Sequence, residues 1–206
     1  MTPDTQSPDA IDRTEDSSRC VSETILDATC GGRSIWLDEN KNREDTLYID
    51  RREEPAGFVD EAVADPPNNP NYEVSPDEVQ DYRDLPYPDR TFNLVVFDPP
   101  HIIRGDGMKT LTGVMTKKYG ALKAETWQSD LRQGFLELFR VLKFGGTLVF
   151  KFSDESVDFR TVVDLAPQPP LFGTTVRGGG SSVETRWFVF HKDCSVNTDT
   201  EQGGSS

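Results

Sequence analysis

The chain has 206 residues, room for one ordinary domain with a core and little more. Its net charge is −14, but residues 1–19 and 193–206 take −3 each, which leaves −8 on the body between them. An acidic body excludes a general-purpose polyanion binder unless a local cationic surface interrupts it.

The apolar share of 34% is low for a globular protein, yet it is clumped into short β-type runs, as a packed core with polar additions requires. Aspartate exceeds glutamate and arginine exceeds lysine. Such a hydrated surface would suit a high-salt cytoplasm, and equally a merely soluble acidic protein. Cys20, Cys30 and Cys194 form no CxxC pair and leave one thiol over in any disulfide scheme, which argues for a reducing compartment and against a zinc site. No apolar run approaches the roughly 20 residues of a membrane span, and the acidic start is unlike a signal peptide. The expected location is cytoplasmic.

Residues 1–19 and 193–206 are expected as disordered polar tails around a folded domain at 20–192. Within that domain strands and helices alternate. Thr24–Ala28 is a short strand that runs into a glycine turn, and Ser34–Asp38 can open a short helix. Thr46–Asp50 is a second strand ending in an acid. Residues 51–78 form a long irregular connection with a weak helical patch at Phe58–Ala64, and Val79–Asp81 is a minimal third strand. Phe92–Phe97 (FNLVVF) is the strongest strand signal, an almost continuous apolar run. Thr126–Leu142 is the clearest helix, with Trp127, Leu131, Phe135, Leu138, Phe139 and Leu142 on one face and Gly145-Gly146 to end it. Thr147–Phe152 is a strand and Phe159–Leu165 a further helix. Pro170–Val176 and Arg186–His191, joined by the glycine-rich 178–182 loop, read as a closing antiparallel hairpin. This alternation implies an α/β fold with a mainly parallel sheet covered on both faces. Ligands of such sheets sit beyond the carboxyl ends of the strands, so those ends carry the candidate site.

The first strand leads into Asp27-Ala28-Thr29-Cys30-Gly31-Gly32-Arg33. Glycine permits close approach of backbone to a cofactor, although a plain tight turn explains the same residues, and the GxGxxG of a nicotinamide site is absent. Asp50, about 20 residues on, is placed to accept from the hydroxyls of a ribose. Asp81 could accept from an adenine amino group, with Tyr82 or Leu85 beside the ring. The fourth strand delivers Asp98-Pro99-Pro100-His101. Two prolines hold the backbone extended and leave carbonyls facing the cleft, so Asp98 and the Pro99 carbonyl form an acceptor pair for a planar amino group. A flat side chain at position 101 could stack on the base that carries it. Asp65-Pro66-Pro67-Asn68 repeats the tripeptide after no apolar strand, so the tripeptide alone proves nothing.

In this order, Asp27–Arg33, Asp50, Asp81–Asp89 (DYRDLPYPD), Phe92–His101 and Arg140–Leu148 (RVLKFGGTL) resemble the class I methyltransferases over about residues 22–192. The DPP turn resembles that of the amino-methyltransferases of nucleic-acid bases. That resemblance implies a Rossmann-like, mostly parallel seven-stranded sheet with a closing antiparallel hairpin and helices on both faces. It also implies S-adenosyl-L-methionine as cofactor. By position, Asp27, Thr29 and Gly31 would line its methionine end, Asp50 would hold its ribose and Asp81 its adenine, with Ala28, Cys30, Arg51 and Tyr82 also expected among the cofactor-binding residues. Asp98, Pro99, Pro100 and His101 would receive the target amine. Two departures stand out: Thr29 and Arg33 replace the commonest glycines, and His101 replaces Tyr, Phe or Trp.

Residues 102–123 carry Arg104, Lys109, Lys117, Lys118 and Lys123 against one acid, Asp106. Beside a substrate pocket these cations could grip phosphates while a base enters, with DNA favoured over RNA; a solvated loop balancing nearby acids is the plainer reading. Arg177 and Arg186 could help from the opposite wall. An acceptor in RNA, protein or a small molecule, and a non-catalytic nucleotide-binding module, remain open on the sequence.

Overall fold

The computed structural model describes residues 24–59, 69–109, 111, 113–177 and 183–194. The expected tails at 1–19 and beyond Cys194, Cys20, most of the Phe58–Ala64 patch, the Asp65 tripeptide and the 178–182 loop lie outside the described residues.

Seven strands form one sheet in the order β3-β2-β1-β4-β7-β9-β8. They are β1 (Ile25–Asp27), β2 (Thr46–Asp50), β3 (Glu78–Val79), β4 (Phe92–Phe97), β7 (Leu142–Ser153), β8 (Phe172–Arg177) and β9 (Glu184–His191). Strands β3, β2, β1, β4 and β7 pair in parallel, and β9 pairs antiparallel with both β7 and β8. This is the expected mostly parallel sheet with its closing hairpin. The strand order reverses between β1 and β4, so the crevice lies beyond the ends of those two strands.

The aromatic core explains why β4 and β7 sit centrally. Phe135, from the helix α2 (Trp127–Val141), touches Phe97, Phe150 and Phe190, ring centroids 5.5, 5.0 and 5.9 Å away. All four rings are fully buried. The short helix α3 (Phe159–Val163) adds Phe159 against Phe188 on the same face. Helices were expected on both faces. Among the described residues α2 and α3 cover one, while the other carries loops and a 3-10 turn at Asp38–Asn40 in place of a helix at Ser34–Asp38. Trp36 is committed there to packing edge-on against Tyr48, 5.4 Å away.

Gly145-Gly146 does not cap α2. The helix stops at Val141 and β7 begins at once, Leu142 already having ψ 133°. The two glycines instead lie where the β4–β7 register shifts, with Gly145 at φ 74°. A second, two-stranded parallel sheet that the sequence did not announce pairs β5 (Ile103–Arg104) with β6 (Leu122–Lys123), and the helix α1 (Val114–Tyr119) lies between them. It gives the basic segment a folded frame. No described helix is long and apolar enough to cross a membrane.

The segments most typical of the resemblance support each other physically. Arg140 donates to the carbonyls of Leu85 (2.9 Å) and Tyr87 (2.8 Å), to Asp89 (2.9 Å) and to Glu137. Glu137 in turn accepts from the Leu85 amide. One helix turn thereby fixes the Asp84–Asp89 loop, and with it Tyr82 beside the crevice.

Candidate functional site

Strand register brings the acids together. Asp27 pairs with Tyr48 and Val96, so Asp50 and Asp98, each two residues further along, project on the face that carries Asp27. Asp27 is fully buried. Its carboxylate accepts from Trp36 Nε1 at 2.7 Å and from the Thr29 amide at 3.2 Å. Burial, with repulsion from Asp98 and Asp50, pushes its pKa up to about 7 against the opposing effect of these hydrogen bonds. Burial likewise pushes the Cys30 thiol far up, so it is an inert packing group. Asp50 accepts from the Gly31 amide and the Arg52 amide, both at 3.0 Å, and so stitches the β1 turn to the end of β2.

The β1 turn shows how Arg33 replaces a glycine. Arg33 sits at φ 52°, a left-handed backbone that costs a non-glycine residue of order 1 kcal/mol. Its guanidinium offsets this by donating to the carbonyls of Lys41 and Ser75, to Asn42 and to Asp77, and by stacking 3.8 Å from the Tyr48 ring centroid.

After β4, the Asp98 amide donates to Thr29 Oγ1 at 2.8 Å, which locks the DPP turn onto the glycine turn. Asp98 Oδ2 accepts from Lys151 Nζ at 2.8 Å. Oδ1 stands 3.3 Å from His101 Nε2 without hydrogen-bond alignment and has no hydrogen-bond partner among the described residues. Burial opposes ionisation of Asp98, but His101 and Lys151 together hold its carboxyl below the ordinary aspartate value.

One cavity gathers most of the expected residues. Thr29, Cys30 and Gly31 line it from β1, Asp50 and Arg51 from β2, Tyr82 from beyond β3, and Asp98 and Pro100 from beyond β4. Lys109, Lys118 and Lys123 line it from the basic segment. Asp27, Ala28, Pro99, Arg104 and Lys117 are not on its wall.

Two expectations meet a different arrangement. Asp81 is held by Arg83, through contacts of 2.6 to 3.2 Å, and by Arg51 at 3.2 Å, so its carboxylate faces arginines rather than the cavity. His101 folds back on Asp98 and packs edge-on against Phe152, 5.1 Å away, so its ring presents no stacking face to the cavity.

Sequence reasoning missed Arg52, Arg83, Asp130 and Tyr119 on the cavity wall. Arg52 donates to the Lys117 and Lys118 carbonyls at 2.7 and 3.1 Å, and Tyr72 Oη also donates to the Lys118 carbonyl. These bonds latch the end of α1 over the crevice. Nothing in the spacing of residues 52 and 118 signals that contact. Tyr119, 41% exposed beside Lys118, could have been noticed as an aromatic residue within a basic segment.

No known protein-family model matches the chain, and no curated protein matches it in sequence. Solved structures do. A Pyrococcus horikoshii protein is 17% identical, with 82% of each chain covered and a TM-score of 0.51. The [4+2]-cyclase SpnF is 12% identical over 82% of this chain and 75% of that one, TM-score 0.48. The 1,6-didemethyltoxoflavin-N1-methyltransferase of Burkholderia thailandensis, solved with S-adenosylhomocysteine, is 12% identical over 82% and 71%, TM-score 0.47. The first likeness carries the fold. Activity rests on the site itself.

Proposed function

We propose that the chain is an S-adenosyl-L-methionine-dependent methyltransferase acting on an exocyclic amine of a nucleic-acid base, with adenine in DNA the favoured acceptor. The observation that carries this reading is the cavity at the β1/β4 crevice, whose wall brings together Gly31, Asp50, Tyr82, Asp98, Pro100 and the lysines Lys109, Lys118 and Lys123.

The residues present suit that cofactor. Asp50 offers carboxylate lone pairs to ribose hydroxyls, and Tyr82 offers an apolar wall. Asp27, whose pKa is raised mainly by burial and further by Asp98 and Asp50, stands with them as three carboxyl groups at neighbouring strand ends, an arrangement that suits a ligand carrying cationic groups. When bound, the cofactor supplies an electrophilic methyl group on a sulfonium sulfur, which keeps the bonding electron pair when the methyl leaves. Asp98 Oδ1, buried without a hydrogen bond, is the acceptor for the amine hydrogens of the substrate. Accepting from them turns the nitrogen lone pair out of conjugation, and the surplus proton departs to solvent after transfer. Positioning supplies most of the rate enhancement.

Lys109, Lys118 and Lys123 would meet phosphates, and Tyr119 is the flat side chain available for stacking in place of His101. Asp98→Ala should abolish transfer while calorimetry with S-adenosyl-L-methionine, run over a range of salt concentrations, still registers binding. Undiminished transfer by the variant would refute the role of Asp98.

A further inference from the structure

Lys151 is a charged residue beside the crevice that no motif announces. It interrupts the apolar run Leu148–Phe152, and a lysine at an alternating strand position ordinarily faces solvent. The pairing of Phe97 with Phe150 sets Asp98 and Lys151 side by side at the ends of β4 and β7. The ammonium comes within 2.8 Å of Asp98 Oδ2, with the two side chains only 21% and 15% exposed. Across the sheet, Lys151 pairs with Trp187, whose ring centroid is 5.9 Å from Nζ. The lysine stem is therefore held between a strand neighbour and an aromatic ring.

The charges facing Asp98 make this contact consequential. Asp27 at the end of β1 repels it, and Asp50 at the end of β2 adds to the same negative cluster. His101 on its own turn reaches only Oδ1. Lys151 from β7 is the ammonium set against Asp98, where it takes Oδ2, while Arg52 stands 3.6 Å from Asp50.

We infer that Lys151 is a positioning residue for the proposed transfer: it keeps Asp98 ionised and fixes Oδ2, which leaves Oδ1 directed at the acceptor amine. The inference rests on the methyltransferase reading. A protonated Asp98 would bring a donor where two acceptor oxygens are needed. Without the ammonium, Asp98 would share a buried site with Asp27, with His101, 3.3 Å away, left to oppose the uptake of a proton, so the Asp98 pKa would rise.

The test compares the wild-type chain with Lys151→Met and Lys151→Arg. Methyl transfer to DNA is measured from about pH 5 to about pH 9, cofactor affinity by calorimetry, and the Asp98 carboxyl by carbon-13 NMR, assigned with Asp98→Asn. A misplaced group costs up to about a hundredfold in rate. The expectation for Lys151→Met is accordingly a tenfold to hundredfold loss of kcat at neutral pH, with little change in KM or cofactor affinity. Its acid limb and the Asp98 carbon-13 titration should both move up by about one to three pH units, and Lys151→Arg should restore both.

A uniform loss of kcat at every pH, or a fall in cofactor affinity and melting temperature that Lys151→Arg does not rescue, would mark a structural lysine and overturn the inference. An unmoved Asp98 titration would overturn it as well. If the titration moves but the wild-type chain transfers no methyl group, the ion pair stands while the methyltransferase reading falls, and the positioning role falls with it.

Discussion

Asp27 makes the fold sensitive to pH in a direction opposite to that of an ordinary salt-bridged carboxylate. Its pKa rises from 3.8 to about 7, so between those values the folded chain keeps a proton that the unfolded chain releases. The stability this group contributes is therefore complete below 3.8 and is lost as pH rises through about 7. From about pH 5 to about pH 8 the loss is about 2–3 kcal/mol, taking 1.36 kcal/mol per pH unit and the saturation at each end. Asp27→Asn removes the titration. Trp36 and the Thr29 amide donate to different oxygens of Asp27, one of which an asparagine replaces with NH2, so the variant carries an offset, but that offset does not vary with pH. Urea unfolding of both proteins across this range should show the wild-type chain losing about 2–3 kcal/mol relative to the variant as pH rises. Parallel curves would refute the argument that burial and carboxylate crowding govern this end of β1.

Gly134 lets α2 lie against Tyr82, since a Cβ there would come within 2.5 Å of that ring. In Gly134→Ala a helix gain of about 1 kcal/mol opposes an overpacking cost of about 1–3 kcal/mol. The Tyr82 ring should shift and weaken cofactor binding in calorimetry; unchanged affinity would count against Tyr82 as part of the wall. Changing Lys109, Lys118 and Lys123 to glutamine should reduce the salt dependence of DNA binding by about 0.9 in slope for each phosphate left without a cation. Lys123 should contribute least, because it pairs with Glu125 at 2.9 Å. A slope that does not change would remove these residues from any phosphate grip. Tyr119→Ala should raise KM for a nucleic-acid substrate and leave cofactor affinity unaltered, consistent with about 1–3 kcal/mol per stacked base. An unchanged KM would leave the base without a stacking partner.

The sheet was legible where strands are buried on both faces or end at a turn. FNLVVF and TLYID needed no context, and both were located to the residue. The helix at 127–141 was equally plain, because its apolar residues recur on one face. Gly145-Gly146 was misread as a helix stop, because a bulge depends on the neighbouring strand and leaves no separate local signal. The third strand came out one residue early, at Glu78–Val79, because a two-residue pairing has no periodicity to read.

At the site, spacing from strand ends located Gly31, Asp50 and Asp98 on one cavity. What spacing could not supply was the competition for each carboxylate. Asp81 looked free until Arg51 and Arg83 claimed it, and His101 looked like a stacking ring until Asp98 and Phe152 held it. Lys151 was invisible for the same reason, since its meaning lies in the β4–β7 register.

Incubating the chain with labelled S-adenosyl-L-methionine and DNA, RNA or cell protein, in buffers from low to high salt, and digesting the products to nucleosides and amino acids, identifies the acceptor. Label is expected on the exocyclic amine of a base, adenine in DNA foremost, and should disappear with Asp98→Ala. Label confined to protein, or none at any salt concentration while the cofactor binds, would contradict methyl transfer to a base.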